Sequence, residues 1–256
     1  MRILAIGDII GKPGRKAVES LVPGLRHEYE IDFIIANAEN SAGGKGLTLP
    51  IADALLDCGI DVLTSGNHIW THKEIFPHLD SDLPILRPLN YPPGVPGRGY
   101  LIKDDVIVVN LLGRTFIGYG DCPFRAMDEL LQEIDNSSPI IIVDFHAEAT
   151  SEKNALGRYL DGRVSAVVGT HTHVGTIDTR VLPHGTAYVT DIGMAGPSDS
   201  IIGDDINLVL SRFLTQMPNR LSVGRGDVTV NSVLIDINES TGRATNIMRL
   251  DRQVRE

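Results

Sequence analysis

The sequence predicts an α/β sandwich with a central mixed sheet, on three observations. Short, largely apolar runs closed by Gly or Asn alternate with segments of helical spacing through residues 2–66. Strand-like runs then dominate the second half, and the chain closes on two of them flanking the turn residues ESTGR. A β-α-β-α-β opening followed by a strand-rich half builds such a layered fold. With 256 residues, of which 42% are hydrophobic, one domain spanning 1–256 has enough apolar material for a core.

RILAIG (2–7), DFIIAN (32–37) and DVLTSG (61–66) are the continuous apolar runs expected of strands buried on both faces. Between them, 14–29 and 48–57 space their apolar residues at about 3.6, as in Ala17, Val18, Leu21, Val22 and Leu25, and are expected to be helices. VIVVNLLG (106–113), PIIIVDFH (139–146), VSAVVGTH (164–171) and TAYVTDIG (186–193) supply a second set of strands, with helices over 125–134 and 150–161. VTVNSVLIDIN (228–238) and ATNIMRL (244–250) read as the closing antiparallel hairpin. YPPGVPGRGY (91–100) is short and has no charge run, so it reads as a surface loop, a lid or a partner-contacting segment, rather than a domain linker.

Composition narrows the function. The formal net charge is −10 and no basic block occurs, which disfavours stable binding of duplex nucleic acid. A small anionic substrate stays open, because a bound cation can supply the missing positive charge. The two cysteines, Cys58 and Cys122, form no CxxC pair, which argues against a disulfide framework or a thiolate zinc site. MRILAIGDII is too short an apolar run for a signal peptide, and no run approaches the ~20 residues that span a bilayer. The expectation is a cytoplasmic protein without a membrane segment.

Polar residues gather where the strands end. RILAIG runs into Asp8, DFIIANA into Glu39 and Asn40, DVLTSG into Asn67 and His68, PIIIVDF into His146, and VSAVVGT into His171 and His173. Singly, each has a plainer reading. Asp8 and the Glu39-Asn40 pair could be turn residues, GNH (66–68) a turn with positive φ, and His146 a satisfied core histidine. GTHTHV (169–174) is the strongest alone, since an i, i+2 pair on a strand shares one face. Together they deliver carboxylate, amide and imidazole to one sheet edge, where open α/β sheets place their sites. Without thiolates, that donor set suits iron, manganese, zinc or cobalt better than copper. Seven candidate ligands (Asp8, Glu39, Asn40, Asn67, His146, His171, His173) exceed one mononuclear site and point to two ions sharing a bridging carboxylate.

This series resembles the calcineurin-like metallophosphoesterases, whose pattern runs D-x-H, G-D-x-x-D, G-N-H-[DE], H and G-H-x-H. It departs from them at Ile10, in place of a histidine, at Ala38-Glu39-Asn40, in place of the bridging aspartate motif, and at Ile69, in place of an acid. Those departures are similar to the YmdB-like bacterial phosphodiesterases, as are GDIIGKPGR, NAENSAGGKGLT, GNHIW, LRPLNYPPGVPG, VDFHAEATSEK, VVGTHTHV, GTAYVTDIGMAGP and DSIIG, in the same order across nearly the whole chain. The resemblance implies an αββα sandwich with central mixed β-sheets flanked by helices. It implies one ion on Asp8, Glu39, Asn40 and His173, and another on Asn67, His146 and His171, with Glu39 bridging and Asn40 making good the ligand lost at Ile10. A bridging water would be the nucleophile, and His68 the general acid or a stabiliser of the phosphoryl oxygens. The implied activity is hydrolysis of 2′,3′-cyclic, and also 3′,5′-cyclic, nucleotides or related small phosphodiesters, with a role in RNA turnover or signalling. The implied cofactors are two divalent or trivalent ions, iron or manganese first and zinc as an alternative. A phosphomonoesterase or nucleotidase on the same centre, and a non-catalytic metal-stabilised binding protein, are the rival readings. The 91–100 loop and the closing hairpin are places where a homo-oligomer could form.

Other motifs read as structural. GDIIGKPG is one residue short of a P-loop and has Pro13 where Ser or Thr belongs. SAGGKG (41–46) is an anion nest or a plain flexible turn, and Lys45 a solvated lysine. His27, His72, His78 and His184 are expected on the surface, and Trp70 under its loop as a buried aromatic. Glu148 and Thr150 are expected to support His146 and to cap the following helix. Asn136-Ser137-Ser138 fits a glycosylation acceptor, without meaning in a cytoplasmic protein.

Overall fold

A computed structural model describes residues 1–134 and 140–255. The chain opens with β1 (Arg2–Ile6), the two-residue β2 (Asp8–Ile9), α1 (Gly11–Glu28), β3 (Phe33–Asn37), α2 (Leu49–Asp57) and β4 (Val62–Thr64). The short α3 (Phe76–Leu79) precedes β5 (Tyr100–Lys103) and β6 (Val106–Leu112), which pair antiparallel. Next come α4 (Pro123–Glu133), β7 (Ile140–His146), α5 (Thr150–Tyr159) and β8 (Ala166–Thr170). They are followed by β9 (Arg180–Val181), β10 (Ala187–Val189), β11 (Met194–Pro197) and α6 (Ile206–Thr215). β12 (Val228–Val230), β13 (Ser232–Asn238), β14 (Arg243–Arg249) and β15 (Arg252–Val254) close the order.

The strands form a five-stranded sheet, β14-β13-β1-β3-β4, a six-stranded sheet, β5-β6-β7-β8-β10-β9, and a four-stranded sheet, β15-β12-β11-β2. Side chains alternate across each strand and so sort into layers. Ile3, Ala5, Phe33 and Ile35 of the first sheet meet Val106, Val108, Ile142 and Val168 of the second in one apolar cluster. The opposite face of the first sheet, with Leu4, Ile6 and Ile34, packs on Ala17, Val18, Val22 and Leu25 of α1 and on Leu55 of α2. The outer face of the second, with Ile107, Val109 and Val143, packs on Met127 and Leu130 of α4 and Leu156 of α5. Helix, sheet, sheet, helix is the αββα sandwich implied by the resemblance; the single central sheet read from the element order is two facing mixed sheets.

Several boundaries differ from expectation for identifiable reasons. The 2–7 run ends at Ile6, because the chain leaves the five-stranded sheet at Gly7 and β2 joins the four-stranded one. The 228–238 run likewise breaks at Asn231, with β12 and β13 in different sheets. The closing hairpin is real, but it joins β13 to β14. The 186–193 run is strand only over Ala187–Val189. α1 starts three residues early, at Gly11, because a proline is tolerated in a first turn. Thr150 begins α5 rather than capping it; the cap position is Ala149 and no side chain fills it. α6 is not among the expected helices; Leu210, Phe213 and Leu214 are exposed on it. Residues 91–97 form turns and bends, Arg98 bridges to Leu86, and β5 follows at Tyr100, while the 136–138 acceptor lies outside the described residues.

Candidate metal centre

The inward face of the sandwich turns polar at the carboxyl ends of its strands. Two residues beyond the apolar Ile35, Val62, Val108, Ile142, Val168 and Val189 stand Asn37, Thr64, Asn110, Asp144, Thr170 and Asp191, all buried. These polar groups are hydrogen-bonded, as burial demands. Asp144 accepts hydrogen bonds from the hydroxyls of Thr64 and Thr170, the latter at 2.7 Å, and from the Asn37 amide at 3.3 Å. His146, one more alternation along β7, tops this network and is itself fully buried. Glycine is required opposite it at Gly66, where a Cβ would come 2.2 Å from His146 Cδ2. Neither Gly66 nor Asn67 has positive φ, so close approach, and not a left-handed turn, explains GNH.

Each of three histidines has one ring nitrogen committed to an acceptor, which aims the other inward. The Thr170 hydroxyl gives its proton to Asp144, so it accepts from His146 Nδ1 at 3.0 Å, which turns Nε2 toward Glu39. His173 Nδ1 lies 2.7 Å from the Ile202 carbonyl, which can only accept. His171 Nε2 lies 3.0 Å from Glu148 Oε2. The other nitrogens of His146 and His173 point at two neighbouring groups of polar atoms. Around His146 Nε2 are Glu39 Oε1 at 2.9 Å, His171 Nδ1 at 3.0 Å and Asn67 Oδ1 at 3.2 Å. Around His173 Nε2 are the Asn40 amide at 3.1 Å and Asp8 Oδ1 at 3.8 Å. Asp8 Oδ1 and Glu39 Oε1 are buried and lack an aligned hydrogen bond.

A buried carboxylate crowded against ring nitrogens is a setting that a cation can fill, and Glu39, His146 and His171 can direct one atom each at a common point. The charges respond as such crowding requires. Burial pushes Asp8 up to about 6, against the pull of His173 and His146. Burial also works to raise Glu39 and to lower His146, but their mutual attraction wins, holding the carboxyl low and the imidazole high. Burial and the neighbouring His146 bring His171 down to about 3, so its ring is neutral. Burial lowers His68 too, with Glu39 opposing. His68 donates its backbone N–H to Glu39 Oε2 at 2.9 Å and lines an open cavity of about 440 Å³ with Lys45, Glu148, His171, His173 and Asp204.

The structure therefore gathers Asp8, Glu39, Asn40, Asn67, His68, His146, His171 and His173 at one place. His171 and His173 do not share a strand face: β8 ends at Thr170, and both histidines take left-handed backbone, with φ of 100° and 63°. The residue between them holds that strained turn. Thr172 donates through N–H and Oγ1 to Asp191 Oδ2, at 3.2 and 2.8 Å, and that oxygen also meets Lys153 Nζ at 2.5 Å. Glu148 supports His171 and not His146. Lys45 is exposed, as a solvated lysine, yet stands at the cavity rim. Trp70 is half-buried, edge-on to Phe76 and Tyr91. Asp144, Thr170, Asp191 and Lys153 escaped the sequence reading; for the first three a polar residue continuing the inward alternation of an apolar run was the available signal, whereas Lys153 lies on α5.

A sandwich of two facing mixed sheets with histidine, amide and carboxylate at their carboxyl edges defines the calcineurin-like metallophosphoesterase fold. The chain belongs to the YmdB-like protein family, whose sequence profile matches residues 4–250. It is 50% identical over 254 residues to the 2′,3′-cyclic-nucleotide 2′-phosphodiesterase of Bacillus subtilis (strain 168), covering 98% of this chain and 96% of that protein. A crystal structure of a hypothetical protein from Thermus thermophilus superposes with a TM-score of 0.93 at 44% identity, over 99% of each chain. A structure described as a novel phosphatase from Mycoplasma pneumoniae also reaches 0.93, at 32% identity, over 99% of this chain and 93% of that one.

Proposed function

We propose that this chain is a dinuclear metal-dependent phosphodiesterase that opens 2′,3′-cyclic nucleotides, with 3′,5′-cyclic nucleotides and related small phosphodiesters as further substrates. The observation that carries this reading is the pair of buried carboxylate oxygens without an aligned hydrogen bond, on Asp8 and Glu39, each faced by an imidazole nitrogen. Asp8, Asn40 and His173 would hold one ion, and Asn67, His146 and His171 the other, with Glu39 between them. Two such ions, iron or manganese by donor type, would lower the pKa of water and neutralise charge building on a phosphoryl group. The bond from phosphorus to the 2′ oxygen breaks as water adds, and the departing alkoxide needs a proton. His68 supplies it: its ring lines the cavity while its backbone N–H is anchored on Glu39. The open cavity admits a nucleotide, and Lys45 at its rim meets the phosphate charge.

Glu39→Gln and His68→Ala are expected to lower kcat on 2′,3′-cyclic AMP and bis-p-nitrophenyl phosphate by about 10²-fold or more while circular dichroism stays native. Full activity in both variants would sink the assignment. The phosphatase description of the Mycoplasma pneumoniae relative makes monoester hydrolysis the competing reading. Rates on 2′,3′-cyclic AMP and 3′-AMP, measured side by side, separate the two.

A further inference from the structure

One further cavity adjoins the metal centre and a second adjoins the first, and both are cationic on a chain of net charge −10. The nearer, of about 600 Å³, shares Leu221 with the centre and carries Lys12, Arg220 and Arg225. The farther, also about 600 Å³, shares Lys12, Pro13 and Arg225 with the nearer and adds Lys16 and Arg255. Among the described residues neither is lined by a carboxylate or an aromatic ring. All five cations are exposed. None of them makes an ion pair or side-chain hydrogen bond with another described residue, unlike Arg2, Arg26, Arg163 and Arg249, which are paired with aspartates. Unpaired cations lined up beside an anion-processing centre form a path for a ligand with several negative charges.

We propose that this path binds the sugar-phosphate backbone of a short single-stranded RNA and places its terminal 2′,3′-cyclic phosphate at the metal centre. The proposal rests on the phosphodiesterase reading and names its substrate class. A 2′,3′-cyclic phosphate forms wherever an RNA strand is cut by attack of its own 2′ hydroxyl, so it terminates a strand whose other phosphates run 5′ from it. A chain anchored at the centre by its cyclic end would lay those phosphates along Arg220, Lys12, Arg225, Lys16 and Arg255. With no aromatic ring to stack bases, the path reads charge and not sequence. A small set of phosphate contacts suits a strand of a few nucleotides and leaves duplex DNA without a base-reading element.

The test compares wild type with Lys16→Glu/Arg225→Glu/Arg255→Glu, and with the milder Gln triple variant should the first fold poorly. Anisotropy of a 5′-fluorescein RNA octamer bearing a 3′-phosphate reads binding directly; kcat/KM on the same octamer ending in a 2′,3′-cyclic phosphate, and on 2′,3′-cyclic AMP, reads turnover. Expected are binding and octamer kcat/KM at least about tenfold weaker in the variants, an unchanged rate on 2′,3′-cyclic AMP, and wild-type binding that weakens with salt by about 0.7 log units per log unit for each phosphate contacted. Octamer binding that is equal in wild type and variants overturns the proposal. If wild type bound the octamer through these cations yet hydrolysed neither substrate, the path would stand and the phosphodiesterase reading would fall.

Discussion

At the scale of single residues, the centre depends on groups that never touch a ligand. His146 offers Nε2 inward only because Thr170 and Asp144 occupy its Nδ1 side. Thr170→Val keeps the volume and removes that acceptor. It is expected to weaken metal binding about 10–100-fold, as loss of an outer hydrogen-bond partner does, with little change in fold. Metal content after dialysis against a graded chelator checks this, and wild-type retention in the variant would show that the threonine does not orient the ring. The ligand candidates were legible as a set, because Asp8, Glu39, Asn67, His146 and His171 each follow an apolar run at its end. Their supports were not, because Asp144 and Thr170 sit inside such runs and differ from core residues only by the phase of the alternation.

At the scale of elements, the segment 171–173 is set by a helix and a strand end it does not belong to. Lys153 of α5 and Asp191, past the end of β10, form an ion pair with both side chains 1% exposed, and Thr172 hangs from the same carboxylate. Lys153→Met leaves that carboxylate buried without its cation. A loss of about 3–5 kcal/mol is expected in urea denaturation, with activity falling further as the histidine turn loosens. A change below about 1 kcal/mol would mean that the hydroxyl and amide donors suffice alone. The sequence-level elements fared best where a whole run stays in one sheet, as in β3, β6 and β7. Runs crossing from one sheet to another, at Gly7 and Asn231, look unbroken because period and hydrophobicity do not change at the crossing. The contact that marks the crossing, Gly7 N–H to the Asn231 carbonyl at 3.1 Å, joins residues far apart in sequence.

At the scale of the molecule, β1 lies inside its sheet between β3 and β13, with Arg2 opposite Asp236. Burial works to raise the Asp236 carboxyl, but the Arg2 hydrogen bond at 2.8 Å and its charge outweigh this and hold it below the usual range. A depressed carboxylate contributes stability that is present above its unfolded pKa, ~3.9, and lost as pH falls through the folded value. Thermal melts from pH 6 to pH 3 should therefore show a smaller acid-induced drop in Tm for Asp236→Asn than for wild type; identical profiles would remove the pair from the acid response. The same topology governs when the centre can exist at all during biosynthesis. Asp8 leaves the ribosome well ahead of its partners, for its carboxylate is completed by the backbone N–H of His171, 163 residues later, and the sheet beneath it by β13. At ~5–20 residues per second, many seconds of translation separate the first ligand from the last. A chain halted before β13 thus carries every candidate ligand from Asp8 to His173, yet lacks the strand that pairs with β1 beneath them.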